Sequence, residues 1–277
     1  MLKHLKTVLL FAGAVTFQTV PAKTIRVPSD FSTITVAMTH VDFGDSVLVS
    51  PGRYFENISL VQGVVLRGTD AQKCILDGMR RGPVVNGVTG AEISNFTITN
   101  GIDGILCENA SPSIHHNWIL DNEGSGIEAF IALPQIHDNV IYGNRWSGIM
   151  IWGAKSLDTR VENNVVMRNG YSGISLRGPS RIVVRNNIFM ENHEYGIYSD
   201  AAAAQSQIVF NDLFHNDVSA FSHFTSASTK SNVFLDPMFV SPKLDQPNFF
   251  SSSRSPLMKR GYEQADIGLA QDAAGRQ

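Results

Sequence analysis

The sequence predicts an all-β fold: a single-stranded, right-handed parallel β-helix, an elongated solenoid of stacked three-strand coils. Two recurring phrases and one local pattern carry that reading. A Gly-Ile pair returns at Gly104-Ile105, Gly126-Ile127, Gly148-Ile149, Gly173-Ile174 and Gly196-Ile197, spaced 22 to 25 residues apart. An aliphatic residue followed three positions later by Asn returns at Ile114/Asn117, Ile136/Asn139, Val161/Asn164 and Val184/Asn187, with Asn95 read as its first member and Val209/Asp212 as its last. Five residues beyond each lies another polar marker: Asn100, Asn122, Asn144, Asn169, Asn192 and Asp217. Within a repeat, apolar residues alternate, as in Ile149-Met150-Ile151, which is the period of a strand.

Each recurring residue has a physical reason to be there. A repeat of this length holds three short strands and cannot bury its own apolar face, so it stacks on its neighbours with parallel pairing about 4.8 Å apart. Asn tolerates a left-handed corner, and in register its amide can donate to one coil and accept from the next, forming a ladder. Gly before Ile is read as backbone freedom where the chain re-enters a strand. Thr33–His40 is the one expected helix, placed to cap the N-terminal end of the stack. Regular coils are expected over about 60–218, and residues 219–277, rich in Ser and Pro, are expected to wrap over the other end.

The N-terminus reads as a secretory leader over residues 1–22. Lys3 and Lys6 flank the short apolar stretch Thr7–Phe17, and Val20-Pro21-Ala22 supplies small residues for cleavage after Ala22. The mature domain is then 23–277, expected in a periplasm or outside the cell. No segment is long and apolar enough to predict a membrane span. A formal charge of −3, with no Lys/Arg run, argues against nucleic acid and anionic membrane as partners. Cys74 and Cys107 are too few for a disulfide framework and are read as buried thiols.

Further phrases carry a family resemblance. They are Val27-Pro28-Ser29-Asp30-Phe31-Ser32-Thr33-Ile34, then Gly44-Asp45-Ser46-Val47-Leu48-Val49-Ser50-Pro51-Gly52-Arg53-Tyr54, Glu56-Asn57-Ile58, and the closing Asp236-Pro237-Met238-Phe239, Ser255-Pro256-Leu257 and Asp266-Ile267-Gly268. With the coils between them, the chain resembles the pectin-lyase-like superfamily, and most of all its exported β-helix repeat proteins, including NosD-like ones. That resemblance covers nearly the whole mature chain. It implies that the Gly-Ile strands form the first sheet, whose outer face is where polysaccharide-acting members usually work. It also allows calcium as a cofactor; no other is evident. Motifs of polygalacturonases, pectin methylesterases and polysaccharide lyases are not recognisable.

Alternation places Leu106, Glu128, Met150, Ser175 and Tyr198 outward on that sheet, followed by Glu108, Phe130, Trp152, Arg177 and Asp200 as each strand ends. Loops leading into the strands carry Arg145, Trp146, Tyr171, His193, Glu194 and Tyr195. Trp146, Trp152, Tyr171, Tyr195 and Tyr198 suit sugar rings, and Arg145 and Arg177 suit a uronic carboxylate. Glu128, Glu194 and Asp200 are candidates for the carboxylate pair of glycoside hydrolysis, with His193 another acid–base candidate. On the second strand, His115 and His137 occupy equivalent positions in adjacent coils and are weak metal candidates, with His116 and Glu162 nearby. Three Asn-x-Ser/Thr triplets, at Asn57, Asn95 and Asn109, are read as incidental, Asn95 because the ladder would bury it. The expected function is binding, with cleavage or modification, of a polysaccharide or cell-surface glycan on the first-sheet face. The alternative is a non-catalytic scaffold for adhesion or metal handling.

Overall fold

The computed structural model describes residues 21–154, 156–200, 205–222, 231–241 and 248–270; the leader lies outside them apart from Pro21 and Ala22. The chain winds as a right-handed solenoid with three parallel sheets running its length. Among the described residues the first sheet has eight strands, from Ile58–Ser59 through Ile105–Glu108, Ile127–Phe130, Ile149–Trp152, Ile174–Arg177 and Tyr195–Ser199 to Ser219–Phe221. The second has nine, beginning at Thr24–Val27 and ending at Gln207–Val209, and the third has eight, from Gly52–Tyr54 to Asp212–Phe214. Register joins equivalent residues: Ile105 faces Ile127, Ile127 faces Ile149, and Ile149 faces Ile174. The same inward column continues to Ile197, and all five isoleucines are fully buried. Each such side chain removed from water stabilises the coil by roughly 1.5–3 kcal/mol.

The glycines of the Gly-Ile pairs are there for space. Their φ values are not positive. A Cβ on Gly126 would stand 2.6 Å from the Gly148 carbonyl oxygen, and one on Gly173 would stand 2.7 Å from that of Gly196. Close stacking of one coil on the next, not backbone freedom, therefore requires them.

Two Asn ladders run through the interior, each one residue away from some of its expected members. In the first, Asn139 Nδ2 donates to Asn164 Oδ1 at 3.0 Å, and Asn164 Nδ2 to Asn187 Oδ1 at 2.9 Å. It extends from Asn117 through Asn211 to Asn232, so Asn211 rather than Asp212 continues it. Phe96, not Asn95, stands at its first position, its N–H donating to Asn117 Oδ1 at 3.1 Å. The second ladder joins Asn122, Asn144, Asn169, Asn192 and Asn216, so Asn216 replaces Asp217 and Gly101 replaces Asn100. The left-handed corner belongs to the residue before each ladder Asn: His116, Asp138, Asn163 and Asn186 have φ of 55°, 55°, 56° and 56°. Asn95 shares that conformation, is half-buried, and is not enclosed by the ladder.

The expected capping helix forms over Ile34–Met38. Thr33 Oγ1 accepts from Val36 N, and Glu56 accepts from the N–H groups of Ile34 and Thr35 at 3.0 and 2.7 Å. Ile34, Ala37 and Met38 close the apolar end of the stack.

The described C-terminal residues do not simply close the opposite end. They strap back along the outside of the third sheet, where Phe249, Leu257 and Ile267 pack on Val140, Val165, Met167 and Ile188. Gly268 N–H donates to the Asn186 carbonyl and Ala270 N–H to Asp138 Oδ1. Cys74 and Cys107 are free and buried, and burial pushes the Cys107 thiol up to about 12. Among the described residues no helix is long and apolar enough to cross a membrane.

Candidate functional site

The first sheet presents two outward columns because its strands alternate. Leu106, Glu128, Met150, Ser175 and Tyr198 form the inner column; Glu108, Phe130, Trp152 and Arg177 form the second, which Asp200 continues. A third line of residues stands on the upstream side, where each turn hydrogen-bonds to the next coil. Tyr171 N–H donates to the Trp146 carbonyl and Glu194 N–H to that of Tyr171, both at 3.1 Å. Trp146 and Tyr171 are each 48% exposed and Trp152 is 47% exposed. Across this face, hereafter the trough, Trp146 and Tyr171 stand on one side and Phe130 and Trp152 on the other, with Glu128 and Met150 between. The Phe130 and Trp152 rings are 6.3 Å apart and tilted by 43°.

Ser175 keeps its register in the outward column but is not exposed. It is buried, and its hydroxyl hydrogen-bonds to that of Ser147 at 2.8 Å. At the C-terminal end of the trough, the Tyr195 and Tyr198 rings lie 5.9 Å apart, and the Arg177 guanidinium sits 4.1 Å over Tyr198. Arg145 and His193 are exposed beside the upstream line, His193 Nδ1 lying 3.4 Å from Asp217 Oδ2.

Four candidate acid–base residues are not brought to one point. Glu128 lies on the Ile127–Phe130 strand, whereas His193, Glu194 and Asp200 flank the Tyr195–Ser199 strand, three strands away. At the usual strand spacing that is roughly 14 Å, too far for two carboxyl groups to straddle one glycosidic bond. Glu194 and Asp200 stand at opposite ends of their strand, roughly 20 Å apart along extended chain. Asp200 also accepts the Gly178 N–H at 2.7 Å.

The carboxyl groups that do neighbour Glu128 are Asp103 and Glu108. Burial, and then the charges of Asp103 and Glu108, hold Glu128 above the usual carboxylate range. Burial likewise raises Asp103, against the lowering effect of the Ser125 N–H that donates to its Oδ1 at 2.8 Å. Sequence reasoning overlooked Asp103. The signal was present: the residue before the Gly of each Gly-Ile pair is Ser125, Ser147 and Ser172 in the three following coils, and an acid in the first.

The second-sheet histidines are arranged otherwise than a metal site requires. His115 and His137 stack with centroids 4.8 Å apart and 7° between planes, so their in-plane lone pairs run side by side. His115 Nε2 is 3.1 Å from Glu92 Oε1, and His137 Nδ1 is 2.8 Å from Asp138 Oδ2. Burial, and then His137, lower the His115 pKa, with Glu92 opposing. Among the described residues no group of three or more His, Cys, Asp or Glu is arranged to hold a metal ion.

Comparison with known proteins agrees with this architecture. The family described as right-handed beta helix region matches residues 81–234. No curated protein matches the chain. Similar solved structures include pectate lyase Pel9A, with TM-score 0.48 and 13% identity over 91% of this chain and 97% of that one. Alginate lyase from Paenibacillus sp. str. FPU-7 has TM-score 0.44 and 13% identity, over 76% of this chain and 80% of its own. The A-module of mannuronan C-5 epimerase AlgE4 from Azotobacter vinelandii has TM-score 0.43 and 16% identity, over 69% and 67%. On the family match, and on three parallel sheets wound from one chain, this protein belongs to the right-handed β-helix family.

Proposed function

We propose that the protein binds a polysaccharide along the outer face of its first sheet, with Glu128 placed to exchange a proton with the bound glycan. The observation that carries this reading is the arrangement of the face itself: half-exposed Trp146 and Trp152 at the two ends of one strand and half-exposed Tyr171 on the next coil, beside a partly desolvated carboxyl. An aromatic ring offers an apolar face to a sugar ring and holds it without demanding one hydroxyl pattern. Successive coils repeat at the strand spacing, so the platforms line a linear chain rather than enclose a small molecule. Arg145 and Arg177 at the margins favour a glycan carrying carboxylates. A carboxyl kept above its usual range can stay protonated nearer neutral pH and act as a general acid. The leader-like pattern of residues 1–22 supports a site of action outside the cytoplasm.

The test is retention on a panel of neutral and uronate polysaccharides, with new reducing ends assayed in parallel. Wild type should be retained by at least one, and Trp146→Ala, Tyr171→Ala and Trp152→Ala should each weaken retention about tenfold. Loss of bond cleavage in Glu128→Gln with retention intact would assign Glu128 a catalytic part. Retention without any cleavage would leave a binding scaffold. Unchanged retention in all three aromatic variants would overturn the assignment of the site.

A further inference from the structure

Where four successive strands of the first sheet end, the chain turns through a left-handed residue. In four successive coils these are Asn109, Ile131, Gly153 and Gly178, with φ of 51°, 47°, 72° and 58°. Three of the four are the residue types that adopt this conformation readily; Ile131 is β-branched, for which it is a strained outlier. Ile131 is also 55% exposed, so burial in the core does not explain its presence. A large apolar side chain is thus held in an unfavourable backbone and turned toward water.

What Ile131 builds is a hollow of about 350 Å³, which it lines with Leu133, Trp152, Gly153, Ser156 and Pro179. No charged side chain is among these described residues. The hydroxyl of Ser156 is already engaged with Asp158, its Oγ lying 3.0 Å from Oδ2. Glycine at 153 keeps the hollow open: a Cβ there would stand 3.7 Å from the Ile131 side chain, in van der Waals contact across the gap. Trp152 belongs both to this hollow and to the aromatic wall of the trough, so the two are continuous.

We infer that the hollow is a specificity pocket for a small uncharged acyl substituent, such as an O-acetyl group, carried by a glycan lying in the trough. This deepens the polysaccharide reading and rests on it. The described lining is uncharged and disfavours a carboxylate or sulfate, whose desolvation none of these side chains would offset. A hydroxyl alone would leave the apolar wall of Ile131, Leu133 and the Trp152 ring against water. An acyl methyl fills that wall, while its ester carbonyl remains at the open side. With a sugar ring held on the exposed face of Trp152, a substituent projecting past the strand end meets Ile131 first.

The experiment measures affinities for matched pairs: O-acetylated xylan, glucomannan and alginate, each beside its alkali-deacetylated form. Wild type should bind the acetylated member of a pair roughly tenfold more tightly, the size expected when a site discriminates one small apolar group. Ile131→Asn suits the left-handed turn, as Asn109 does one coil earlier, and removes the apolar wall; its preference ratio should fall close to one. Ile131→Val keeps the wall and should keep the preference. Binding of both members with equal affinity by wild type, or an unchanged ratio in Ile131→Asn, would overturn the pocket while leaving the polysaccharide reading standing. Failure of wild type to bind any member of any pair would overturn both.

Discussion

The Arg177 guanidinium lies 4.1 Å over the ring of Tyr198, one coil further on, and its Nη1 donates to the Tyr198 hydroxyl at 3.2 Å. Sequence reasoning took these two as independent ligand contacts, whereas the fold couples them. A guanidinium held in this way loses less side-chain entropy when it meets a carboxylate. If the trough binds acidic glycans, Tyr198→Ala should weaken a uronate polysaccharide about tenfold more than a neutral one. Tyr198→Phe, which keeps the ring, should retain most of the difference. Equal loss on both classes would remove Arg177 from the recognition of carboxylates.

The interior ladder should dominate stability. Asn164 Nδ2 donates to the carbonyls of Ile136 and Glu162 at 3.0 and 2.9 Å and to Asn187 Oδ1, while its Oδ1 accepts from the Asn139 backbone and side chain. Asn164→Ala leaves several of these buried groups unpartnered and should cost at least about 3 kcal/mol. Urea denaturation measures the loss; a change below about 1 kcal/mol would contradict a structural ladder.

Asp212 predicts a pH dependence. It is fully buried beside the ladder, and its Oδ1 accepts the Leu235 N–H at 2.9 Å. Burial outweighs that bond and, with the charge of Asp236 adding to it, pushes the Asp212 carboxyl up to about 7 from 3.8. The folded chain keeps this proton up to about pH 7 and the unfolded chain releases it near 4. Stability should therefore fall as pH rises between those values and level off above, by an amount on the order of 4 kcal/mol. Asp212→Asn should remove that component, so the variant should gain on wild type from pH 4.5 to pH 8 in urea midpoints. A constant difference across this range would contradict the assignment.

Asp103 is expected to act on Glu128 through charge. Asp103→Asn should lower the Glu128 midpoint, read by NMR titration, without bringing it fully to the ordinary range, because burial is the larger cause. No movement would show that the two carboxyl groups do not interact.

How much of this was legible in the sequence differs by residue. The inward Ile column and the coil period are repeated residue types at fixed spacing, and both were read directly. The ladder was displaced by one in two directions: Asn95 and Asn100 hold the corner just before the ladder position, whereas Asp212 and Asp217 directly follow Asn211 and Asn216, which hold it. The lateral strap left a trace in Val165-Val166-Met167, apolar at consecutive positions, which marks a strand buried on both faces. Which acids meet was not legible. Glu128 lies on the first sheet and Glu194 and Asp200 flank one of its strands, but alternation fixes the face and not the separation along it. Asp103 stands in a turn, outside the strand periodicity. Ile131 was invisible as well, because only the backbone reveals that its position is left-handed.

The most direct measurement is tryptophan emission from the Trp118→Phe variant during titration with the polysaccharide panel. Trp118 packs against Phe249 under the C-terminal strap, away from the trough, so this variant reports on Trp146 and Trp152 alone. A glycan lying along the first sheet should give a saturable blue shift with at least one polysaccharide, as both rings leave water. Emission unchanged by every polysaccharide in the panel would contradict the claim that this face binds glycan.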